Sequence, residues 1–264
     1  MSWQSDLAEQ ATAIFAADPR IAVVFLGGSL GAGTGDAWSD VDLILAAAPD
    51  HHGAVVADLG EMVGRIAPLA MWRQVHPPLP LYTAVLSGWR RLDLTVTVPD
   101  RLTYARDRVT PLHDPQDLAA RLIPSLPNRT PDPARVYAIA EEFLRICGLL
   151  PLGLGRQEYV VVQTGYGLLR GLLIDLLIEA QAPPVPPGAL SLSRVLPAED
   201  VALLAALPAP RADRDELLAA NLALYQAFLP RARALAAACG AVWPEALETE
   251  TRARLAQDLG IMLP

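Results

Sequence analysis

Residues 90–98, RRLDLTVTV, alternate without a break, with Leu92, Leu94, Val96 and Val98 on one side and Asp93, Thr95 and Thr97 on the other. Successive strand side chains point to opposite faces, so this period of two predicts a strand with one face in a core and one polar face. Such a strand needs partners. LYTAVL (81–86) precedes it across Ser87-Gly88, a hairpin signal. IAVVFL (21–26) is a β-branched run with a glycine stop, and VDLILAA (41–47) is a second strand stopped at Pro49. Trp3, Leu7, Ala11, Ile14 and Phe15 recur at helical spacing up to Pro19, and a further helix is predicted over 54–66. Strands mixed with helices predict an α/β (α+β) unit built on a small mixed sheet.

After about residue 124 the texture changes. PSLPNRTPDPAR is rich in turn formers and reads as a linker. Beyond it, Leu/Ala-rich stretches at 134–147, 156–181, 213–239 and 244–259 predict the helices of a bundle. They are interrupted by APPVPPGALSLS (182–193), most economically a stiff connection between helices. A chain of 264 residues, 52% hydrophobic, is comfortable for two such units with cores of their own, and no internal repeat is visible. The predicted division is 1–130 and 131–264.

Composition removes several chemistries. All 21 basic residues are arginine, so neither a Schiff-base lysine nor a P-loop lysine is available. A net charge of −8 argues against a general nucleic-acid binder and suits a small cationic partner or a plain acidic surface. Cys147 and Cys239 are unpatterned, which excludes a cysteine-based zinc site and suggests a reducing, cytoplasmic compartment. His51, His52, His76 and His113 have no metal-ligand spacing. Arg, Asp or Glu punctuates each apolar stretch, so no bilayer span is predicted, and the N-terminus does not read as a signal peptide.

The segment GGSLGAGTGDAWSDVDLIL (27–45) fails two glycine-loop patterns. It has no lysine after its last glycine, and counting from Gly31 and Gly33 puts Asp36 where a dinucleotide fingerprint needs its third glycine. What remains is a strand, Gly28-Ser29, ten residues, and Asp40-x-Asp42 opening the next strand. Alternation puts Asp40 and Asp42 on one face while Val41 and Leu43 enter the core. Two carboxylates so close repel unless a cation lies between them, and Mg²⁺ commonly binds one or two carboxylates together with substrate phosphates. Gly28 would let phosphates approach the backbone, and Ser29 would offer them a hydroxyl and an N–H. Asp93 supplies the third carboxylate that a two-metal phosphoryl-transfer site requires. Asp-x-Asp alone is often just a solvated strand end; the spacing from Gly28-Ser29 and the third aspartate make it more.

Gly28-Ser29 followed by Asp40-Val41-Asp42 resembles the signature of the DNA polymerase beta-like nucleotidyltransferase superfamily. Within it, the chain is most similar to the aminoglycoside 6-adenylyltransferases that modify streptomycin. RLDLTV (91–96) resembles that family's Arg-Ile-Asp-Leu-Thr strand, AEEFLRI (140–146) its Asn-Glu-Phe helix, and PLHDPQDL (111–118), LGLGRQE (152–158) and LLRGLLIDLLIE (168–179) its later segments. The resemblance implies a nucleotidyltransferase domain followed by a helical acceptor-binding domain. It implies that Asp40 and Asp42 bind two Mg²⁺ ions, that Asp93 binds one ion and engages the acceptor hydroxyl, and that Gly28, Ser29 and Arg91 serve the nucleoside triphosphate, ATP. Glu142 becomes a candidate for acceptor recognition or general base, with a plain helix-surface carboxylate as the other reading. Transfer of AMP to a hydroxyl of a small cationic acceptor lying between the domains, with no nucleic acid and no membrane, is the implied activity. Glu141, Glu142, Glu158 and Asp175 are candidates to line the acceptor site, although a charge such as Asp175 near Arg170 is more often a structural pair.

Three segments depart from the family pattern: Glu141 stands for Asn, Leu152 for Lys, and Leu144-Arg145-Ile146 for a tryptophan-rich patch. They bear on the acceptor, not on nucleotidyl transfer. A nucleotidyltransferase acting on tRNA or a protein, and an inactive nucleotide- or partner-binding module, remain open alongside the small-molecule reading.

Overall fold

The computed structural model describes residues 2–75, 77–185 and 191–263. His76 and the middle of the proline-rich connection, 186–190, lie outside the described residues. The chain forms two compact units, Met1–Leu126 and Pro127–Pro264, so the division falls four residues before the predicted one.

The first unit runs α1 (Trp3–Ala16), β1 (Ile21–Leu26), α2 (Gly28–Gly31), β2 (Val41–Ala47), α3 (His52–Gly64), β3 (Leu69–Gln74), β4 (Leu81–Leu86), β5 (Arg90–Thr97) and β6 (Thr110–His113). The six strands lie in the order β3-β4-β5-β2-β1-β6. β2 and β5 are parallel and the other neighbours antiparallel, which makes the sheet mixed. Leu7 and Phe15 of α1 and Val55, Leu59 and Val63 of α3 cover one face, over Val41, Leu43, Leu45, Leu92, Leu94 and Val96. On the other face Val23, Phe25, Ile44 and Ala46 are covered by Val109, Leu118 and Leu122. β2 is therefore buried on both sides beyond its first turn, the physical reason its sequence reads as a continuous apolar run.

Two strands escape the sequence pattern. β3 is an edge strand with Leu69 and Met71 exposed, so no alternation marks it. β6, four residues long with Pro111 inside, pairs only with β1, and an edge is where a strand tolerates proline.

The second unit is helical: α4 (Pro133–Cys147), α5 (Leu150–Gly155), α6 (Tyr159–Gln181), α7 (Ala198–Ala206), α8 (Arg214–Cys239) and α9 (Glu245–Leu259). Asp132 caps α4 by accepting from the Ala134 N–H, with Pro133 at the first helical position. Asp213 caps α8 through the N–H groups of Asp215 and Glu216. The helix expected over 156–181 is α6, starting three residues later at Tyr159, and the short α5 before it was not expected. The chain breaks at Gln157, which has φ +59°, and α5 folds back so closely that a Cβ on Gly153 would lie 2.4 Å from the Val162 side chain. α7 was not anticipated, although Pro197 followed by Glu199, Asp200 and an apolar run is a helix-start signal.

By length and composition α6 is apolar enough to cross a membrane, which corrects the expectation that no stretch would be. It packs Leu169, Leu173, Leu176 and Leu177 into the helical core and carries the buried Glu179, which accepts from the Asp132 N–H at 2.7 Å and pairs with Arg129 and Arg135. At the centre of that core the Phe143 and Phe228 rings stack 3.6 Å apart, with Tyr225 edge-on to Phe143 at 5.8 Å. Phe143→Ala is expected to cost about 3–5 kcal/mol by denaturant unfolding, because a fully buried aromatic leaves a cavity that its neighbours cannot close. A loss below about 1 kcal/mol would contradict this packing.

Candidate active site

Gly27, Gly28 and Gly31 shape the turn after β1. The Gly27 N–H donates to the Asp42 carbonyl at 2.8 Å, tying the turn to the first residues of β2. A Cβ on Gly31 would sit 2.2 Å from the Leu26 carbonyl oxygen, a backbone atom with nowhere to go. Gly28 has φ +56°, and its Cβ would lie 1.8 Å from Asp42 Oδ2, so bare backbone rests against that carboxylate. Ser29 follows, its hydroxyl 2.9 Å from that of Ser39. Ser39 is buried and its Oγ accepts from the Asp36 N–H, while Gln4 of α1 donates to the carbonyls of Asp36, Ala37 and Ser39. The ten residues between Ser29 and Asp40 are thus pinned from both sides, by contacts no local pattern announced.

The parallel register of β2 and β5 pairs Val41 with Leu92 and Asp42 with Asp93. Neighbouring strands lie about 4.8 Å apart, so the two carboxylates stand side by side on one face. On the far side of β5, Thr83 of β4 is paired with Asp93, and its hydroxyl donates to Asp93 Oδ1 at 2.7 Å. Arg91 completes the group. Its Nη2 lies 2.5 Å from Asp93 Oδ2, its Nε donates to Asp93 Oδ1 at 3.2 Å, and its Nη1 is 3.2 Å from Asp40 Oδ2. One guanidinium therefore bridges Asp40 and Asp93, and among the described residues no ion pair reaches Asp42.

Asp42 responds as crowding demands. Burial first, then the charges of Asp40 and Asp93, push its carboxyl up to about 7, against a smaller opposing pull from Arg91. Tyr104, in the segment that covers this face, has its phenol raised by burial, with the Asp42 charge adding to the shift. Thr83, Ser39, Gln4 and Tyr104 were not singled out in the sequence. Thr83 was readable: the turn centred on Gly88 pairs Leu86 with Arg90 and hence Thr83 with Asp93.

Three oxygen-donor carboxylates at one end of a sheet, two in register and all drawn from rigid strands or their margins, are the donor chemistry of a hard divalent cation. Among the described residues no group of three or more His, Cys, Asp or Glu side chains is already gathered as a metal cluster. The Arg91 guanidinium is paired with both Asp40 and Asp93. The donor set suits such a cation chemically, and Arg91, 45% exposed, is the side chain that would have to give way. Two tryptophans flank the same end of the sheet. Trp38, two residues before Asp40, is 93% exposed, and Trp89, two before Arg91, is 80% exposed with φ +57°.

Glu142 lies in the helical unit on α4. Arg145 holds it through two hydrogen bonds of 2.6 and 2.7 Å, and this pairing keeps its carboxyl below the usual range, which makes it a weak base. Glu141 accepts from the Tyr137 hydroxyl at 2.7 Å. The anticipated pairing of Arg170 with Asp175 does not form: Arg170 donates instead to the Leu204 carbonyl at 3.2 Å. Glu158 and Arg156 rim a groove of about 390 Å³ between α5 and α6, whose walls include Leu149, Leu152, Val161 and Leu168.

No family model matches the chain, and no curated protein matches it. Among solved structures it is similar to the crystal structure of an aminoglycoside 6-adenyltransferase from Bacillus subtilis. The two are 14% identical, with 96% of this chain and 98% of that chain covered and a TM-score of 0.45. A likeness that distant carries neither substrate nor cofactor across, so the chemistry rests on the side chains described above.

Two outcomes test this geometry. An unfolded aspartate releases its proton near its ordinary 3.8, whereas folded Asp42 keeps it up to about 7. This group therefore favours the fold fully below about pH 4, and its contribution is lost as pH rises toward 7. Asp42→Asn is expected to stabilise the cation-free protein at pH 8 by roughly 1–3 kcal/mol and to flatten its stability between pH 4 and 7. Thermal melts across that range would contradict the crowding if the variant were less stable at pH 8. Gly28→Ala is expected to cost at least about 1–2 kcal/mol by denaturant unfolding, since the left-handed φ and the Cβ against Asp42 both oppose it; an unchanged stability would contradict this turn.

Proposed function

We propose that this protein transfers a nucleoside monophosphate, from ATP, to a hydroxyl of a small acceptor and releases pyrophosphate. The observation that carries this reading is the in-register pairing of Asp42 with Asp93 beside the Gly28 backbone, with Asp40 two residues before Asp42. Asp40, Asp42 and Asp93 would hold Mg²⁺. When bound, that ion supplies charge neutralisation and Lewis-acid polarisation at the phosphate oxygens.

The chain's own groups do the rest. Gly28 leaves room for the Asp42 carboxylate, which lies where its Cβ would be, and the Ser29 hydroxyl and neighbouring N–H groups would serve the triphosphate. The acceptor oxygen attacks the α-phosphorus in line, the bond from that phosphorus to its bridging oxygen breaks, and pyrophosphate leaves with the electron pair. The hydroxyl proton passes to Asp93, which Thr83 holds in place. Glu142, already committed to Arg145, is the poorer base. Trp38 and Trp89 offer exposed ring faces at the mouth for a planar group to stack on. The acidic balance of the chain favours a cationic acceptor, of which an aminoglycoside is one.

The test is pyrophosphate release from ATP and Mg²⁺ across a panel of hydroxyl-bearing acceptors, streptomycin and spectinomycin included. Release with at least one small acceptor is expected, with Asp42→Asn reducing it more than ~10³-fold. Release with RNA or protein alone would move the activity to a macromolecule. An Asp42→Asn enzyme with wild-type turnover would overturn the mechanism.

A further inference from the structure

The strand register places four charged side chains on one face. Asp40 and Asp42 lie along one chain and Arg91 and Asp93 along the next, and Asp42 faces Asp93. Each pair is two residues apart, the spacing that puts side chains on the same side of a strand. Arg91 is therefore built into the carboxylate group and is not a surface residue that has drifted onto it. Its guanidinium reaches Asp93 through two nitrogens, at 2.5 and 3.2 Å, and Asp40 through the third, at 3.2 Å.

Such a bridge has two consequences. A divalent cation needs carboxylate oxygens near 2.1 Å, and a guanidinium seated between the same oxygens keeps them apart. A cation arriving alone must also displace Arg91 into water with nothing to replace its ion pairs. A cation arriving with a triphosphate offers the displaced guanidinium phosphate oxygens, for which its planar fork of donors is suited.

We infer that Arg91 is an internal stand-in for the divalent cation, bridging Asp40 and Asp93 until cation and nucleotide arrive together and then passing to the phosphates. This rests on the nucleotidyl-transfer reading above and adds to it a coupling: cation and nucleotide each raise the other's affinity, by the same factor, through one side chain. Asp40 is only 31% exposed and Asp93 16%, so the Arg91 bridge also relieves repulsion that would otherwise strain the cation-free fold. Arg91 is thus a positioning residue, since it sets when the carboxylates are free.

The experiment measures free Mn²⁺ by electron paramagnetic resonance, with and without a non-hydrolysable ATP analogue, on wild-type protein and on Arg91→Met. Arg91→Met is expected to bind Mn²⁺ without nucleotide at least 10-fold more tightly than wild type, and to lose most of the coupling between Mn²⁺ and the analogue. Arg91→Lys keeps a positive charge but cannot span both carboxylates, so its nucleotide-free affinity is expected between the two. Arg91→Gln, neutral and polar, is expected to follow Arg91→Met, and it gives the same readout should the methionine variant fail to fold. Unchanged or weaker nucleotide-free Mn²⁺ binding in the neutral variants, with wild type still binding Mn²⁺ and analogue together, would overturn the stand-in alone. Absence of Mn²⁺ and analogue binding in every form, wild type included, would overturn the nucleotidyl-transfer reading and this inference with it.

Discussion

The mutual repulsion of Asp40, Asp42 and Asp93 is the constraint around which the first unit is arranged. Parallel pairing of β2 with β5 forces Asp42 and Asp93 side by side, and Asp40 sits two residues upstream on the same face. No apolar contact can compensate for like charges at that spacing, so compensation has to come from charge and hydrogen bonding. Arg91 bridges two of the carboxylates, Thr83 donates to one, and Asp42 instead keeps its proton to near neutrality. The surrounding fold gives these groups no freedom to separate. β2 is covered on both faces beyond Asp42, by α1 and α3 on one side and by Val109, Leu118 and Leu122 on the other. A rigid, doubly covered strand that opens on a carboxylate holds repelling charges together.

The turn between β1 and β2 follows from the same demand. Gly28 and Gly31 are required by distances to Asp42 and to the Leu26 carbonyl, and Gln4 and Ser39 fix the residues beyond them. The Gly28 backbone lies against the Asp42 carboxylate, and the Ser29 hydroxyl donates to that of Ser39. The loop is a precisely held part of the site, as its buried polar contacts require.

Much of this could be read from residues 21–26, 41–47 and 90–98, because alternation and β-branched runs report directly which side of a strand is buried. Alternation put Asp93 on the polar face, and the break in apolar character at Asp40 and Asp42 marked the exposed end of β2. The two edge strands were invisible because an edge with solvent on it leaves no periodic trace, as Leu69 and Met71 show. The split of α5 from α6 depends on the contact of Gly153 with Val162, a tertiary fact absent from any local window. α6 illustrates the reverse difficulty: its apolar length satisfies a bilayer, yet it carries the buried Glu179, ion-paired with the partly exposed Arg129 and Arg135. In the candidate site the three aspartates were legible from type and spacing, and Thr83 from hairpin register. The bridging of Asp40 to Asp93 by Arg91 was not, because it depends on a side-chain conformation spanning two strands.

The most direct measurement is anomalous diffraction from crystals grown with Mn²⁺ and a non-hydrolysable ATP analogue. The account predicts anomalous peaks within coordination distance of Asp42 and Asp93, with the phosphates against Gly28 and Ser29. Nucleotide bound elsewhere in the molecule, or manganese peaks away from these aspartates, would contradict it.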